Sequence, residues 1–339
     1  MTLAVAPVAA TRGTVPSRCD WRWESLASPL GRCGVDNQDN LVVVGPTGQS
    51  LWLQGGRPVR ATVPGWPAGH CRFAVLDGMG GHGHSGRLSE YVARALARLP
   101  PFRDLPTMTA ALQALHDTTR AEFGDPAPSP RSPRGAGTTL LMLEVPVARH
   151  AMLFHVGDSR LFRLADDGLD LLTIDHCPTT DSLLRGELST DGWQRQIVSA
   201  TDRRLTQAFG LGALDARGRF TPALRAHGPG QLPEALAGLA DRRHVPLDGG
   251  ALFLLATDGL WCAADPAARL GAVARAVRIA ADDGLDAGAD RLRSVIAAGR
   301  GDDLDDNATF ILLRYAPLPS VAADTGPAAL ALPRVAHAD

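Results

Sequence analysis

Cys71-Arg72-Phe73-Ala74-Val75-Leu76-Asp77-Gly78-Met79-Gly80-Gly81-His82-Gly83 is the stretch from which this 339-residue chain is best read. Cys71 to Leu76 is a short, mostly apolar run of strand length, and Asp77 closes it. An aspartate at the end of a buried strand is held rigidly, and glycines beside it let backbone carbonyls approach a bound ion. The same construction recurs where Ala251 to Thr257 leads into Asp258-Gly259. Asp-Gly is equally a common turn pair, so at this point a turn and a metal ligand both remain open.

Outward from these junctions, further strand-like runs are Leu41 to Val44, Thr139 to Val145, Ala151 to Val156, Leu161 to Leu164 and Ala308 to Leu313. Gly157 follows one run and Leu161 restarts the next, which predicts a tight hairpin. Helical periodicity runs through Leu88, Val92, Leu96 and Leu99 and again over Met108 to Phe123; Leu232 to Leu239, Pro266 to Ala280 and Ala287 to Ala298 are further helices. This order predicts an α+β layered domain, sheet packed on sheet with helices outside. Residues 1–18 and 317–339, rich in Ala and Pro, are expected to be disordered tails around a single domain at 19–316. Within it, 45–69 reads as an insertion, either a long hairpin or a surface excursion.

Composition narrows the function classes. The chain is 45% hydrophobic and 21% charged with a formal net charge of -2, so no global field attracts nucleic acid or anionic lipid. All 34 basic residues are arginine, which leaves no lysine for a Walker loop, and no Gly-x-Ser-x-Gly elbow occurs. Five scattered cysteines argue against a disulfide framework or a zinc cluster. No long apolar span and no signal-like start are seen, so a cytoplasmic location is expected.

Asp302-Asp303-Leu304-Asp305-Asp306-Asn307 precedes the strand at Ala308, and Asp306 is its member best placed to point inward. Asn37-Gln38-Asp39-Asn40 precedes Leu41 in the same way. Four carboxylates at strand ends (Asp39, Asp77, Asp258 and Asp306) describe a hard-oxygen site for Mg²⁺ or Mn²⁺. In Gly157-Asp158-Ser159-Arg160, Asp158 and Ser159 are open to a turn-capping reading, and Arg160 to facing water.

In this order the motifs resemble the bacterial branch of the metal-dependent type-2C protein serine/threonine phosphatases, over roughly Ser28 to Arg314. The residues that carry the resemblance are Asn37-Gln38-Asp39, Asp77 to His82, Gly135-Ala136-Gly137-Thr138-Thr139, Gly157 to Arg160, Leu172 to His176, Leu205 to Gly210, Thr257 to Leu260 and Asp306 to Thr309. The resemblance implies a four-layer α-β-β-α sandwich, two packed antiparallel sheets flanked by helices. It also implies two Mn²⁺ or Mg²⁺ ions that activate a water, with Asp77 and the Gly78 carbonyl, Asp258, Asp306 and Asp39 around them. Asp158 matches a third ion's position or is a turn residue. His82 is a proton donor or tunes the site by a hydrogen bond, and residues 179–200 form a mobile surface flap whose approach is fixed by Asp175 and His176. The family's phosphate-gripping arginine falls here on Gly34; Arg32 either replaces it or is exposed. Phosphorylated proteins are the expected substrates, a serine/threonine kinase the expected opponent, and a monomer the expected state. No nucleic-acid or membrane partner is expected, and a regulatory or scaffolding relative without turnover is the alternative.

Overall fold

The computed structural model describes residues 19–28, 37–79, 85–123, 135–146, 150–166, 168–199, 204–298 and 306–316. The expected tails, Arg32, Gly34, His82 and the acidic residues 302–305 lie outside them.

Numbered along the chain, one five-stranded sheet runs in the order β1 (Cys19–Leu26), β16 (Ala308–Tyr315), β15 (Leu252–Ala256), β9 (Arg160–Leu164) and β10 (Leu169–Leu171). The second sheet runs β14 (Arg242–Pro246), β8 (His150–Val156), β7 (Leu140–Val145), β5 (Cys71–Met79), β2 (Asp39–Val44), β3 (Gln49–Gln54) and β4 (Arg57–Thr62), with β6 (Gly137–Thr138) paired to the end of β5. Every pairing is antiparallel. A small third sheet joins β11 (Gln207–Ala208), β12 (Gly212–Leu214) and β13 (Phe220–Thr221).

Strand alternation assigns the layers. On β2, Leu41 and Val43 point into the core between the sheets, where Phe73, Leu143, Leu153, Phe253 and Ile311 meet them. Val42 and Val44 point the other way, onto α1 (Ser85–Leu96) and α2 (Leu105–Phe123) through Leu88, Val92 and Met108. Leu254, Phe310 and Leu312 do the same beneath α5 (Pro266–Asp283) and α6 (Leu285–Ala298). The result is the expected four layers. Each fully buried Leu or Phe contributes roughly 1.5–3 kcal/mol to holding them together. Helix α5 starts where the sequence says it should: Asp265 caps it by accepting from Ala268 N, and Pro266 takes the first turn.

Four local readings are corrected or resolved. The hairpin expected at Gly157 is a crossing: β8 belongs to the larger sheet and β9 to the smaller, so Gly157-Asp158-Ser159 carries the chain between layers. Residues 45–69 hold the β3–β4 hairpin, which extends the larger sheet and buries Trp52. Residues 178–199 form α3 (Pro178–Leu184) and α4 (Thr190–Ser199), and Trp193 is buried rather than on the surface. It packs with Ile174, Leu183, Leu232 and Leu236, and its Nε1 donates to Thr180 Oγ1 at 3.0 Å. The region expected as a helix at Leu232 to Leu239 is a 3-10 helix at Glu234–Leu239.

Candidate functional site

The two sheets bring their aspartates to one end of the sandwich. Asp39 opens β2 and stands directly opposite Asp77, near the end of β5. Asp258 follows β15 in a 3-10 turn, and Asp306 lies two residues before β16. A hydrogen bond ties the layers together here: Thr257 Oγ1 donates to Asp39 Oδ2 at 2.7 Å. Thr309 N donates to that same hydroxyl at 2.9 Å, so Thr257 is held from β16 while it holds Asp39. Gly259 is required for this closure, because a Cβ there would lie 2.0 Å from Asn307 O.

Asp77 is fixed through its main chain. Its N–H donates to Thr139 Oγ1, and its carbonyl accepts from Thr139 N and Thr138 Oγ1, each at 2.9 Å. The neighbouring Gly78 donates to Gln38 O at 3.2 Å and pairs with Thr138 on β6. The side chain of Asp77 is left to face the cluster. Thr139 Oγ1 lies 2.7 Å from Ser159 Oγ, which links Asp77 to the crossing segment that carries Asp158.

These carboxylates act on one another electrostatically. Burial pushes Asp39 up to about 8, with Asp306 and Asp258 adding to the shift and the Thr257 and Thr309 hydrogen bonds opposing it. Asp77 is held well above the usual carboxylate range by desolvation, then by Asp39, Asp258, Asp306 and Asp158. Asp158 is raised by desolvation, then by Asp258 and Asp175, against the pull of Arg160. Asp39 Oδ1 is buried with no hydrogen-bond partner. A crowd of buried and half-buried carboxylates, one with an orphaned oxygen, fits divalent cations bound through oxygen.

Arg160 does not face water. It is buried, pairs with Asp175 (Nη2 to Oδ2, 2.8 Å), donates to Ile197 O at 2.9 Å and stacks 4.6 Å from the Trp261 ring. It therefore anchors α4 to the floor beneath Asp158. Arg32 and His82 lie outside the described residues.

A second group was missed by sequence reasoning. His176, His227 and Asp241 are buried, and one potential ligand atom from each lies within 4.8 Å of the others; among the described residues no other trio of His, Cys, Asp or Glu meets that distance. A cluster able to hold a metal ion is thus present apart from the aspartates. Its members are separated by tens of residues with no spacing motif, so nothing local announced it. Thr257 also went unassigned, although its place beside Asp258 on a predicted strand was a usable signal.

No family model matches the chain. A probable protein phosphatase 1N from Mus musculus is 30% identical over 232 residues, covering 66% of this chain and 53% of that protein. The chain thus spans about half the length of the curated relative it matches. Among solved structures, the S. agalactiae serine/threonine phosphatase covers 88% of this chain and 100% of its own at 19% identity and TM-score 0.57. The Mycobacterium tuberculosis serine/threonine phosphatase PstP/Ppp covers 88% and 99% at 19% identity and TM-score 0.56. PppA, described as a key regulatory component of T6SS in Pseudomonas aeruginosa, covers 88% and 98% at 20% identity and TM-score 0.55. The chain has the bacterial, PstP-like serine/threonine phosphatase fold. No helix among the described residues is long and apolar enough to cross a membrane.

Proposed function

We propose that the chain hydrolyses phosphoserine and phosphothreonine in proteins, using Mn²⁺ or Mg²⁺ held by Asp39, Asp77, Asp258 and Asp306 and the Gly78 carbonyl. The observation that carries this reading is the convergence of strand-end aspartates from both sheets, with Asp39 Oδ1 buried and unpartnered among them. When bound, divalent ions supply a lowered pKa for water and neutralise charge gathering on the phosphoryl oxygens.

The chain's own residues do the rest. Thr257 orients Asp39 by occupying Oδ2, which leaves Oδ1 turned to the cluster. The three main-chain hydrogen bonds around Asp77 keep its carboxylate from following the ligand as charge develops, which is the preorganisation that electrostatic catalysis needs. Asp77 and Asp158 keep partial exposure, so the cluster opens to solvent on their side and a phosphoryl group can approach there. Asp158 suits a third, weaker ion, since it is crowded by Asp258 and lies on a segment fixed by Thr139 and Arg160. Cys19, Cys71, Cys177 and Cys262 are all buried, and Cys262 Sγ donates to Asp258 Oδ2 at 3.2 Å. A serine/threonine kinase would be the opposing activity.

The test is phosphate release from a phosphothreonine peptide by the full chain, titrated with Mn²⁺ or Mg²⁺ after chelation and repeated with Asp77→Asn. Turnover that requires the added ion and is lost in the variant supports the reading; turnover that survives complete chelation sinks it.

A further inference from the structure

The buried histidines at the edge of the larger sheet form a group the phosphatase reading does not use. His176 follows β10 and leads into α3; His227 lies ahead of the 3-10 helix at Glu234–Leu239; Asp241 immediately precedes β14. His155, on β8 beside β14, joins them: its ring centroid is 5.1 Å from that of His176, which is 4.7 Å from that of His227. The backbones are laced together, with His155 N donating to Asp241 O at 2.9 Å and Asp241 N to His227 O at 3.2 Å.

Hydrogen bonding accounts for only part of this cluster. Gly157 N donates to His176 Nδ1 at 3.0 Å, and His176 Nε2 reaches Asp241 Oδ2 at 3.3 Å, where His227 N also donates at 2.8 Å. Asp241 Oδ1, His227 Nδ1 and both ring nitrogens of His155 are buried without a well-formed hydrogen bond, the His155 ring keeping only a weak approach to the Ser159 backbone. His155 and His176 are completely buried, and Asp241 is 1% exposed. Buried polar atoms are almost always satisfied, so four left over in one cluster point to a missing common partner.

We propose that His176, His227 and Asp241, with the His155 ring packed beside them, form a structural site for a borderline divalent transition ion, zinc above all. Two imidazoles and one carboxylate are a donor set that such an ion prefers and that Mg²⁺ does not. A tetrahedral zinc site with bonds of about 2.0–2.1 Å places its ligand atoms about 3.3 Å apart, and His176 Nε2 and Asp241 Oδ2 already stand at 3.3 Å. With an ion on Nε2 the imidazole carries its proton on Nδ1 and donates it to Gly157 O at 3.1 Å, which replaces the alternative contact in which Gly157 N donates to Nδ1. The ion ties the segment leading into α3 to the edge of the larger sheet. Because His176 also grips Gly157, it steadies the crossing that carries Asp158. This site stands or falls independently of the phosphatase reading.

The full chain, produced in cobalt-supplemented, zinc-depleted medium and washed with chelator, provides the test. The expected result is one retained Co²⁺ per chain with the intense visible bands of tetrahedral coordination. Those bands persist in Asp77→Asn, whose oxygen-rich surroundings are elsewhere, and collapse in His227→Gln. Absence of chelator-resistant Co²⁺ in the wild-type protein overturns the proposal, as does loss of the bands in Asp77→Asn or their survival in His227→Gln. If His227→Gln does not fold, the wild-type and Asp77→Asn spectra decide alone.

Discussion

Asp39→Asn should stabilise the metal-free protein at neutral pH, and the size of the effect follows from the crowding of its carboxylate. Asp39 is 3% exposed and its folded-state value is raised from 3.8 to about 8. The unfolded chain loses this proton near pH 4, whereas the folded chain keeps it up to about 8. Between those limits the folded state binds the extra proton, so stability falls as pH rises, by about 1.4 kcal/mol per pH unit for this group. From pH 5 to pH 7 the loss is about 3 kcal/mol, on the order of 5 °C in Tm for a chain of this size. Asparagine carries no titrating proton and its carbonyl still accepts from Thr257, so the slope contributed by this position disappears. The assay is thermal unfolding of both proteins in chelator at pH 5, 6, 7 and 7.5. The variant's advantage should grow steadily with pH, and added Mn²⁺ should raise the wild-type Tm at pH 7.5 more than the variant's. A variant less stable than wild type at pH 7.5, or a difference that does not change with pH, would refute the crowding.

Two structural predictions accompany it. Glu144→Ala strands a fully buried Arg72 whose Nε and Nη2 lie 2.6 and 3.0 Å from the carboxylate, and also removes the partner of His70 and Phe102 N; the expected cost is about 3–5 kcal/mol in urea unfolding. A loss below about 1 kcal/mol would mean that Arg72 finds other partners. Gly157→Ala forces a side chain into φ +104° with its Cβ 2.6 Å from Thr139 Cγ2, costing roughly 2–4 kcal/mol. Because Thr139 also holds Asp77, catalytic turnover should fall as well; an unchanged Tm would show that the crossing tolerates a side chain.

What the sequence disclosed was whatever depends on neighbours in the chain. Strand runs ending at Asp77 and Asp258 were visible because apolar residues stop where the carboxylate begins, and the unbroken apolar run Leu41 to Val44 matches a strand buried on both faces. β1 was readable but unread: Cys19, Trp21 and Trp23 alternate with Asp20, Arg22 and Glu24, and Trp21 packs edge-on against Phe73 across the sandwich. β14 was hidden, since Arg242-Arg243-His244-Val245-Pro246 has one apolar core residue and the proline suits only an edge. The crossing at Gly157 was misread because three residues can turn a hairpin or change sheets, and only long-range pairing decides. The histidine cluster was beyond reach for the same reason: His155, His176, His227 and Asp241 meet only after the sheet edge has formed.

The central claim is that the aspartates gathered from the two sheets run a metal-dependent hydrolysis. The most direct measurement is the Mn²⁺-dependent rate of phosphate release from a phosphothreonine peptide by wild type and by Asp77→Asn, each confirmed folded. The account predicts a wild-type rate that rises with Mn²⁺ and a fall of at least about a hundred- to a thousandfold in the variant. An Asp77→Asn protein whose turnover stays within roughly tenfold of wild type would contradict it.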